Sequence, residues 1–210
     1  MTFQHVPVLL QETLSGLNIQ PEGIYVDGTV GGAGHACEIA KQLHGAGKLI
    51  GLDRDPDAVA VATQRLAPYP ATVIHANYDE MAQVLQRLEI PAVDGILLDL
   101  GVSSMQIDNP ERGFSYKFDG PLDLRLDQSK GVTASERLFE LSEEEIAGML
   151  LDNADEPYAA QIAKAISGLQ KSGTKIVSTT QLSYIIANAL AFLPPKERNE
   201  AVKKSCRRTF

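Results

Sequence analysis

Short apolar runs alternate with helical patterns through the first half of the chain. The runs at 24–27, 48–53, 72–75 and 94–99 have the length and composition of strands. Strands that alternate with helices predict parallel βαβ units. The run at 94–99 is almost continuously apolar and is bounded by turn residues, which predicts a strand buried on both faces. The expected fold class is therefore α/β with a parallel sheet.

The pattern changes after the last of these runs. Residues 102–131 form a long irregular stretch rich in Asp, Gly, Pro and Ser, and helical periodicity follows from about 133 to 191. Ser142 begins a capping-box sequence, and Thr179 or Thr180 can cap a later helix. Loops of this length in compact domains are usually lids or binding loops. We therefore expect a mostly helical inserted subdomain.

These patterns divide the chain into three parts. Residues 1–104 are expected to form the first part of a Rossmann-like nucleotide-binding domain, residues 105–195 a lid loop and helical insertion that recognises the substrate, and residues 196–210 a basic segment. With 210 residues, 44% of them hydrophobic, the chain can form one core and an appended subdomain.

The net charge of −8 argues against nucleic-acid binding by bulk electrostatics, so any such contact is expected to be local. Residues 196–208 contain six cations and two carboxylates. This segment can bind an RNA backbone, or its cations can complement a helix dipole, and charge alone favours neither. Four of its cations are candidates for substrate binding: Lys203, Lys204, Arg207 and Arg208.

Targeting and metal signals are weak. Cys37 and Cys206 cannot form a disulfide framework and lack metal-ligand spacing, so no metal is expected. The start of the chain has no cationic leader, and its apolar run at 6–10 is too short for a signal peptide or a membrane span. A cytoplasmic protein with no membrane partner is expected.

The most informative stretch is 23–35, where a short strand ends in Asp27 and a glycine-rich turn, and a helical pattern follows from Ala36. Such a turn lets the backbone approach a nucleotide closely, although it can also serve geometry alone. The dinucleotide fingerprint is only partly matched, because Cys37 replaces its third glycine. An acidic residue before a looser glycine cluster suits S-adenosylmethionine, which has no pyrophosphate.

The polar residues that follow the predicted strands support one shared site. Asp53 ends the second strand, where a carboxylate can accept both ribose hydroxyls and would repel a 2′-phosphate. Asp27, Asn77 with Tyr78, and Asp99 follow the other three strands. Because the carboxyl ends of parallel strands meet at one edge of a sheet, we expect all of these residues to face one ligand.

With these features in place, the chain strongly resembles the ribosomal small-subunit RNA methyltransferase H family, which includes the MraW-like enzymes. The resemblance covers nearly the whole chain and rests on six blocks in order: 5–10, 27–35, 52–55, 95–104, 112–115 and 119–123. It implies methylation of the exocyclic N4 of a cytidine in the decoding centre of 16S ribosomal RNA. The implied cofactor is S-adenosyl-L-methionine, and the implied partner is 16S rRNA in the small ribosomal subunit.

The implied fold is a Rossmann-like class I methyltransferase sheet with a helical insertion. The later strands of that sheet are absent, so the chain resembles a truncated member. We expect it to bind cofactor with little or no turnover, and to form a homodimer through the exposed sheet edge or the insertion. The resemblance also implies the cofactor-binding residues, which are Ala33, Gly34, His35, Asp53, Tyr78, Asp99 and Gln106.

Methyl transfer to an amine requires the nitrogen to be held in line with the methyl group. Asp99 is a catalytic candidate that recognises either the amine or the cofactor, and the residues do not separate these roles. The segment after it lacks the Pro-Pro-aromatic sequence of many amino-methyltransferases. Stacking of the target base is therefore assigned to Phe114, Tyr116 or Phe118, which can equally pin the loop to the domain.

Five of the charged residues in this loop have two possible roles. They can surround a flipped nucleotide, with Arg112 as a substrate-binding residue and Asp119 as a second catalytic candidate, or they can form a structural salt-bridge cluster. The five are Arg112, Asp119, Asp123, Arg125 and Asp127.

Two other functions remain open. An NAD-dependent oxidoreductase would need an acid/base group near the fourth strand, and the Tyr-x-x-x-Lys sequence expected there is absent. A non-enzymatic fragment that binds a nucleotide or RNA would need only the pocket.

Overall fold

The computed structural model describes residues 7–210. The chain divides into two compact units, Met1–Ser103 and Ser104–Phe210. The first unit contains a parallel sheet and its helices, and the second contains helices joined by a long loop. No helix within 7–210 is long and apolar enough to cross a membrane.

The first unit alternates helices and strands along the chain. Its helices are α1 (Leu10–Leu17), α2 (Gly34–Ala40), α3 (Pro56–Leu66) and α4 (Met81–Arg87), with a 3-10 turn at Tyr78–Glu80. Its strands are β1 (Ile24–Asp27), β2 (Lys48–Asp53), β3 (Ala71–His75) and β4 (Gly95–Leu97). The four strands are parallel in the order β3-β2-β1-β4, which confirms the α/β class and follows the strand order of doubly wound folds.

Alternate residues of the central strands point to opposite faces of the sheet. Tyr25 and Leu49 belong to a buried cluster that includes residues of α2, such as Ile39. Val26 and Ile50 belong to a second cluster that includes Val84 of α4. The central strands are therefore covered on both faces, as a parallel sheet requires.

The prediction for the fourth strand is wrong in length and in burial. The run at 94–99 forms hydrogen-bonded strand only over Gly95–Leu97. Ile96 is 49% exposed and Leu98 is 44% exposed. The physical reason is that β4 lies at the edge of the sheet and pairs with β1 alone among the described residues. The first two predicted strands match β1 and β2, and β3 begins one residue before its prediction.

The second unit contains α5 (Ser104–Asp108), α6 (Ala134–Glu140), α7 (Glu143–Ala154), α8 (Ala159–Lys171), α9 (Thr179–Ala189) and α10 (Pro195–Thr209). A 3-10 turn at Pro110–Arg112 follows α5. One buried cluster joins helices α6 to α10 and includes Leu138, Ile146, Ile162, Ile186 and Cys206. The basic segment 196–210 is therefore part of the helical core of this unit, through α10.

The helix caps show how local sequence sets the boundaries. Ser142 caps α7 in a capping box with Glu145, as predicted. The predicted cap of α9 at Thr179 or Thr180 is wrong, because Ser178 is the cap and pairs with Gln181. The Thr179 side chain is instead buried, and its hydroxyl donates to the Phe118 carbonyl oxygen at 2.7 Å.

Candidate functional site

The glycine-rich turn after β1 continues the hydrogen bonding of the sheet. The Gly28 amide donates to the Leu97 carbonyl oxygen, and the Val30 amide donates to the Leu52 carbonyl oxygen, each at 2.9 Å. A Cβ on Gly28 would lie 2.5 Å from Leu98 Cδ2, so a side chain at this position would require the Leu98 side chain to move. The turn is therefore tied to both neighbouring strands.

The chain leaves this turn through two left-handed residues. Gly31 has φ of 48°, and Ala33 has φ of 61° although it carries a side chain. Left-handed backbone costs a residue with a Cβ roughly 1–2 kcal/mol, so the surrounding structure holds Ala33 in place. Helix α2 then begins at Gly34, two residues before the predicted start at Ala36.

Asp27, at the end of β1, is the buried carboxylate of the site, with 2% of its surface exposed. Its Oδ1 accepts the Thr29 amide at 3.1 Å. Burial raises the pKa of Asp27 from an ordinary value of 3.8 to about 7. The negative charges of Asp53 and Asp99 also raise this pKa, whereas hydrogen bonds from Thr29 lower it.

Asp53, at the end of β2, is fixed by two backbone amides. Its Oδ2 accepts the Gly31 amide at 2.8 Å, and its Oδ1 accepts the Asp55 amide at 2.9 Å. A carboxylate oxygen can accept two hydrogen bonds, so each oxygen keeps an acceptor position. The geometry leaves capacity for a ligand with two hydroxyls.

Asp99 and His35 lie together on the other side of the glycine-rich turn. His35 Nε2 lies 3.0 Å from the Val8 carbonyl oxygen, so this nitrogen carries a proton and donates it. His35 Nδ1 lies 3.7 Å from Asp99 Oδ2. The Asp99 side chain is 58% exposed, and its backbone amide donates to Thr29 Oγ1 at 2.7 Å. An exposed carboxylate is thus held in place through its own main chain.

Tyr78 begins the 3-10 turn that follows β3, and it is exposed. Its Cβ would lie 3.2 Å from a Cβ on Gly28, so Tyr78 adjoins the glycine-rich turn. The first unit therefore brings Asp27, Asp53, Tyr78 and Asp99 to the carboxyl edge of the sheet. Gln106 lies on α5 in the second unit, where it is buried. The binding roles of all these residues stay predictions.

The charged residues of the long loop have partners within the second unit. Arg112 is buried, and its Nη2 donates to the carbonyl oxygens of Arg125 and Leu126 at 3.2 and 2.8 Å. Arg125 Nε and Nη2 each lie 2.7 Å from an oxygen of Asp123, which holds the pKa of Asp123 below its usual value. These contacts agree with the structural alternative for this cluster.

Asp119 is also bonded locally. Its Oδ1 accepts the Thr180 hydroxyl, and hydrogen bonds from Thr180 and Ser178 lower its pKa. The carboxylate therefore stays ionised and holds the loop to the start of α9. A catalytic role for Asp119 stays a prediction.

The three candidate rings differ in their surroundings. Tyr116 packs against the core of the second unit, and its ring centroid lies 6.1 Å from that of Phe210. The Phe114 ring centroid lies 6.0 Å from the Arg112 guanidinium carbon. Phe118 is 56% exposed. Phe114 and Tyr116 thus fit the pinning alternative, and Phe118 has the most open ring.

The four basic candidates on α10 are all exposed but are not equivalent. Arg208 Nη1 lies 3.9 Å from Oε2 of the fully buried Glu156. Lys204 Nζ lies 3.7 Å from Oε1 of the exposed Glu200. Lys203 lines an open cavity of about 480 Å³ in the second unit. The other residues lining this cavity are Tyr116, Ser183, Lys196, Asn199, Glu200, Val202 and Cys206.

The sequence predicts that Asp27 faces the ligand but assigns no role to Thr29, which the structure places between Asp27 and the Asp99 amide. The signal that could have identified Thr29 is the tight turn Asp27-Gly28-Thr29, because an Asp side chain in such a turn accepts the backbone amide of the residue two positions later. No group of three or more His, Cys, Asp or Glu residues in the described part of the chain could hold a metal ion.

Similarity to known proteins extends over nearly the whole chain. The family model described as MraW methylase family matches residues 2–210. The ribosomal RNA small subunit methyltransferase H of Methylobacillus flagellatus is 46% identical over 91% of this chain and 60% of its own length. That of Lachnospira eligens is 47% identical over 94% and 62%, respectively. The chain thus spans about three fifths of the length of these curated relatives.

A candidate rRNA-methylase of known crystal structure, from Clostridium thermocellum, is 19% identical to the chain. The match covers 38% of this chain and 46% of that chain, with a TM-score of 0.34. A likeness at this level supports no argument about the site.

The raised pKa of Asp27 predicts how the stability of the first unit depends on pH. Between pH 3.8 and about 7, folded Asp27 holds a proton that the unfolded chain has lost. Stability therefore falls as pH rises through this window, by up to about 1.4 kcal/mol per pH unit. Asp27→Asn keeps an acceptor for the Thr29 amide and should remove this slope. Hydrogen-exchange protection of the β1 amides, corrected for intrinsic exchange rates, measures this pH dependence in the wild type and in Asp27→Asn. Parallel pH profiles in the two proteins would contradict a raised pKa for Asp27.

Proposed function

The chain belongs to the MraW methylase family, and we propose that it is an S-adenosyl-L-methionine-dependent methyltransferase acting on 16S rRNA. The product that we propose is N4-methylcytidine in the decoding centre, made within the small ribosomal subunit in the cytoplasm. The observation that carries this proposal is the arrangement of Asp27, Asp53 and Asp99 around a glycine-rich turn at the carboxyl edge of the sheet.

The chemistry of these residues fits the proposed cofactor. Asp53 keeps one acceptor position on each oxygen, which suits the two hydroxyls of a ribose. The side chains of Leu98, Tyr78 and Met81 fill the space beside Gly28, so the glycine lets the turn pack closely against its neighbours. Burial, and to a smaller degree the charges of Asp53 and Asp99, raise the pKa of Asp27, and a cationic ligand would favour its ionised form. When bound, the cofactor supplies a methyl group on a positively charged sulfur.

The residues of the chain would then act mainly by binding and positioning. Asp53 would hold the ribose, and Ala33, Gly34 and His35 would lie along the cofactor at the start of α2. Asp99 is the exposed carboxylate at this edge, and it would accept a proton of the target amine or bind the cationic end of the cofactor. Holding nitrogen and methyl near attack distance contributes the most to such a reaction, about 7–11 kcal/mol.

The second unit offers a surface for RNA. Exposed cations of α10 provide positive charge that the acidic chain as a whole lacks. Two residues singled out separately as substrate contacts, Tyr116 and Lys203, line the same cavity. An aromatic ring beside a cation is a common arrangement for binding single-stranded nucleotides. We assign the RNA contact to this face of α10.

A second copy of the chain is also a proposed partner. The exposed side chains Ile96, Leu98 and Leu100 follow the open edge of β4, and open strand edges pair readily with other chains. The alternative functions are a non-enzymatic RNA-binding protein, which would keep the pocket without turnover, and an NAD-dependent oxidoreductase, which would prefer a different nucleotide.

Cofactor identity is tested by calorimetry with S-adenosylmethionine, S-adenosylhomocysteine and NAD. We expect both sulfur nucleotides to bind and NAD not to bind. Asp53→Ala should weaken binding by about 1.5–3 kcal/mol, because a charged hydrogen-bond acceptor is lost. Asp152→Ala, which changes an exposed aspartate of α7, is the matched control and should have no effect. Binding of NAD alone would overturn the cofactor proposal.

The reaction is tested by methyl transfer to small subunits that lack the modification. We expect label from S-adenosylmethionine to appear as N4-methylcytidine when the 16S rRNA is digested and its nucleosides are separated by mass. Label on another nucleoside would contradict the N4 assignment. Intact cofactor binding without any transfer would favour the non-enzymatic alternative for this chain.

The RNA surface is tested by the triple variant in which Lys203, Lys204 and Arg207 are changed to Gln. Its affinity for a 16S rRNA fragment containing the decoding centre should be weaker. The slope of log K against the logarithm of salt concentration should decrease in magnitude by up to about 2–3. Arg208 is left intact, because without it the buried carboxylate of Glu156 would lose its cationic partner.

The matched control for this test is a triple variant of other exposed lysines in the second unit: Lys164, Lys171 and Lys175. This control removes the same amount of positive charge as the α10 variant. It should therefore weaken RNA binding only slightly, through long-range electrostatics. Equal salt slopes in the two triple variants would show that α10 is not the RNA surface.

A further inference from the structure

The open cavity of about 480 Å³ in the second unit, called the α10 cavity below, lies along one side of α10. Most of its lining residues belong to that helix, and Tyr116 of the long loop and Ser183 of α9 complete the lining. Ligand sites commonly have volumes of about 300–1,000 Å³. The α10 cavity is therefore large enough for a group the size of one nucleotide.

The lining combines buried apolar surface with exposed polar groups. Cys206 is 2% exposed, and Tyr116 and Val202 are half-buried. Lys196 and Asn199 are exposed, as is Lys203 of the same helix. A nucleotide has the complementary combination, because a flat base with polar edges is joined to anionic phosphates.

The charges of the cavity favour an anion. Lys196 and Lys203 are two helical turns apart, which places their backbones about 10 Å from each other along α10. Their long side chains can reach the phosphates on either side of a single nucleotide. Glu200 is the one carboxylate of the lining, and Lys204 Nζ lies 3.7 Å from its Oε1. The lining is therefore net positive.

The ring of Tyr116 is held in place by its own packing. It packs against the core of the second unit, and its centroid lies 6.1 Å from that of Phe210. Its hydroxyl is buried and has no hydrogen-bond partner within 7–210. Tyr116 therefore presents its ring, and not its hydroxyl, to the cavity. A ring that is already fixed loses little conformational entropy when a base stacks on it.

We propose that the α10 cavity binds one unpaired nucleotide of the rRNA, with its base stacked on Tyr116 and its flanking phosphates at Lys196 and Lys203. Asn199 lies between these lysines along α10, and its amide can bond a base edge or a ribose. The inference deepens the proposed function and rests on it for the identity of the RNA. It adds recognition of a base to a surface assigned above by its charge, and phosphate contacts alone carry no sequence information.

The first test is an NMR titration of the chain with each ribonucleoside 5′-monophosphate, and with ribose 5-phosphate as the control without a base. At least one nucleotide should shift the Tyr116 ring resonances and the Asn199 side-chain amide. Ribose 5-phosphate should leave the Tyr116 ring unshifted. Asn188, an exposed residue of α9 outside the lining, is the internal control. Equal Tyr116 shifts from ribose 5-phosphate, or none from any nucleotide, would overturn the inference.

The second test measures affinity for a 16S rRNA fragment in which unpaired nucleotides are made abasic one at a time. Tyr116→Leu should weaken binding of the unmodified fragment by about tenfold without changing its salt dependence, because a stacking ring and no charge is lost. Tyr116→Phe keeps the ring and should stay within about twofold of the wild type. One abasic position should weaken wild-type binding equally and cause no further loss in Tyr116→Leu, because the same contact is removed twice. Additive losses at every position would contradict the proposal.

Asn199→Ala keeps this test decisive if Tyr116→Leu does not fold. It should weaken binding by about threefold at the same nucleotide, whereas Asn188→Ala, the matched control, should have no effect. RNA affinity that depends on the lysines of α10 but not on Tyr116 or Asn199 would support the proposed RNA surface and overturn the nucleotide site. Nucleotide binding at Tyr116 without methyl transfer would contradict the proposed reaction and support the site.

Discussion

The structure of the first unit depends on holding three carboxylates close together at one edge of the sheet. Parallel strands bring their carboxyl ends to that edge, and the register that pairs Asp27 with Gly51 and Leu97 leaves no freedom to separate them. The repulsion is offset by backbone amides of the turns, which donate to Asp27 and Asp53. One of these amides belongs to Gly31, which has left-handed backbone in the glycine-rich turn and donates to Asp53. The turn therefore has a structural task before any ligand binds.

The same constraint prepares the edge for a cation. Desolvation makes the negative charge of Asp27 unfavourable, and its neighbours add to this effect, so its pKa lies near neutrality. Strongly shifted carboxylates are typical of functional sites, because a group near its pKa changes charge when a ligand binds. Asp53 and Asp99 are more open, which leaves them able to contact a ligand directly. Under the proposed function, the two accessible carboxylates would contact the cofactor, and the buried Asp27 would respond to its charge.

Local sequence predicted the parts of this structure that depend on nearby residues. The strands β1 and β2 and the Ser142 cap follow from short-range patterns, and the carboxyl-edge position of Asp27, Asp53 and Asp99 follows from strand order. The exposure of β4 did not follow, because an apolar run looks the same in a central strand and at an edge. Glu156 also looked ordinary in the sequence, since its burial depends on α10, which begins far along the chain.

The basic segment shows why charge counted along a sequence overstates a binding surface. Glu156 accepts the Ser205 hydroxyl and the Tyr158 amide through Oε1, which leaves Oε2 to be balanced by Arg208. A buried carboxylate with a single cationic neighbour cannot release it to a phosphate without a large cost in stability. Arg208 is therefore committed to the fold, whereas Lys203 projects at the cavity without such a buried partner. Under the proposed function, the positive charge that α10 can offer to RNA is therefore smaller than the count of its cations, and Lys203 places part of it beside the cavity that Tyr116 also lines.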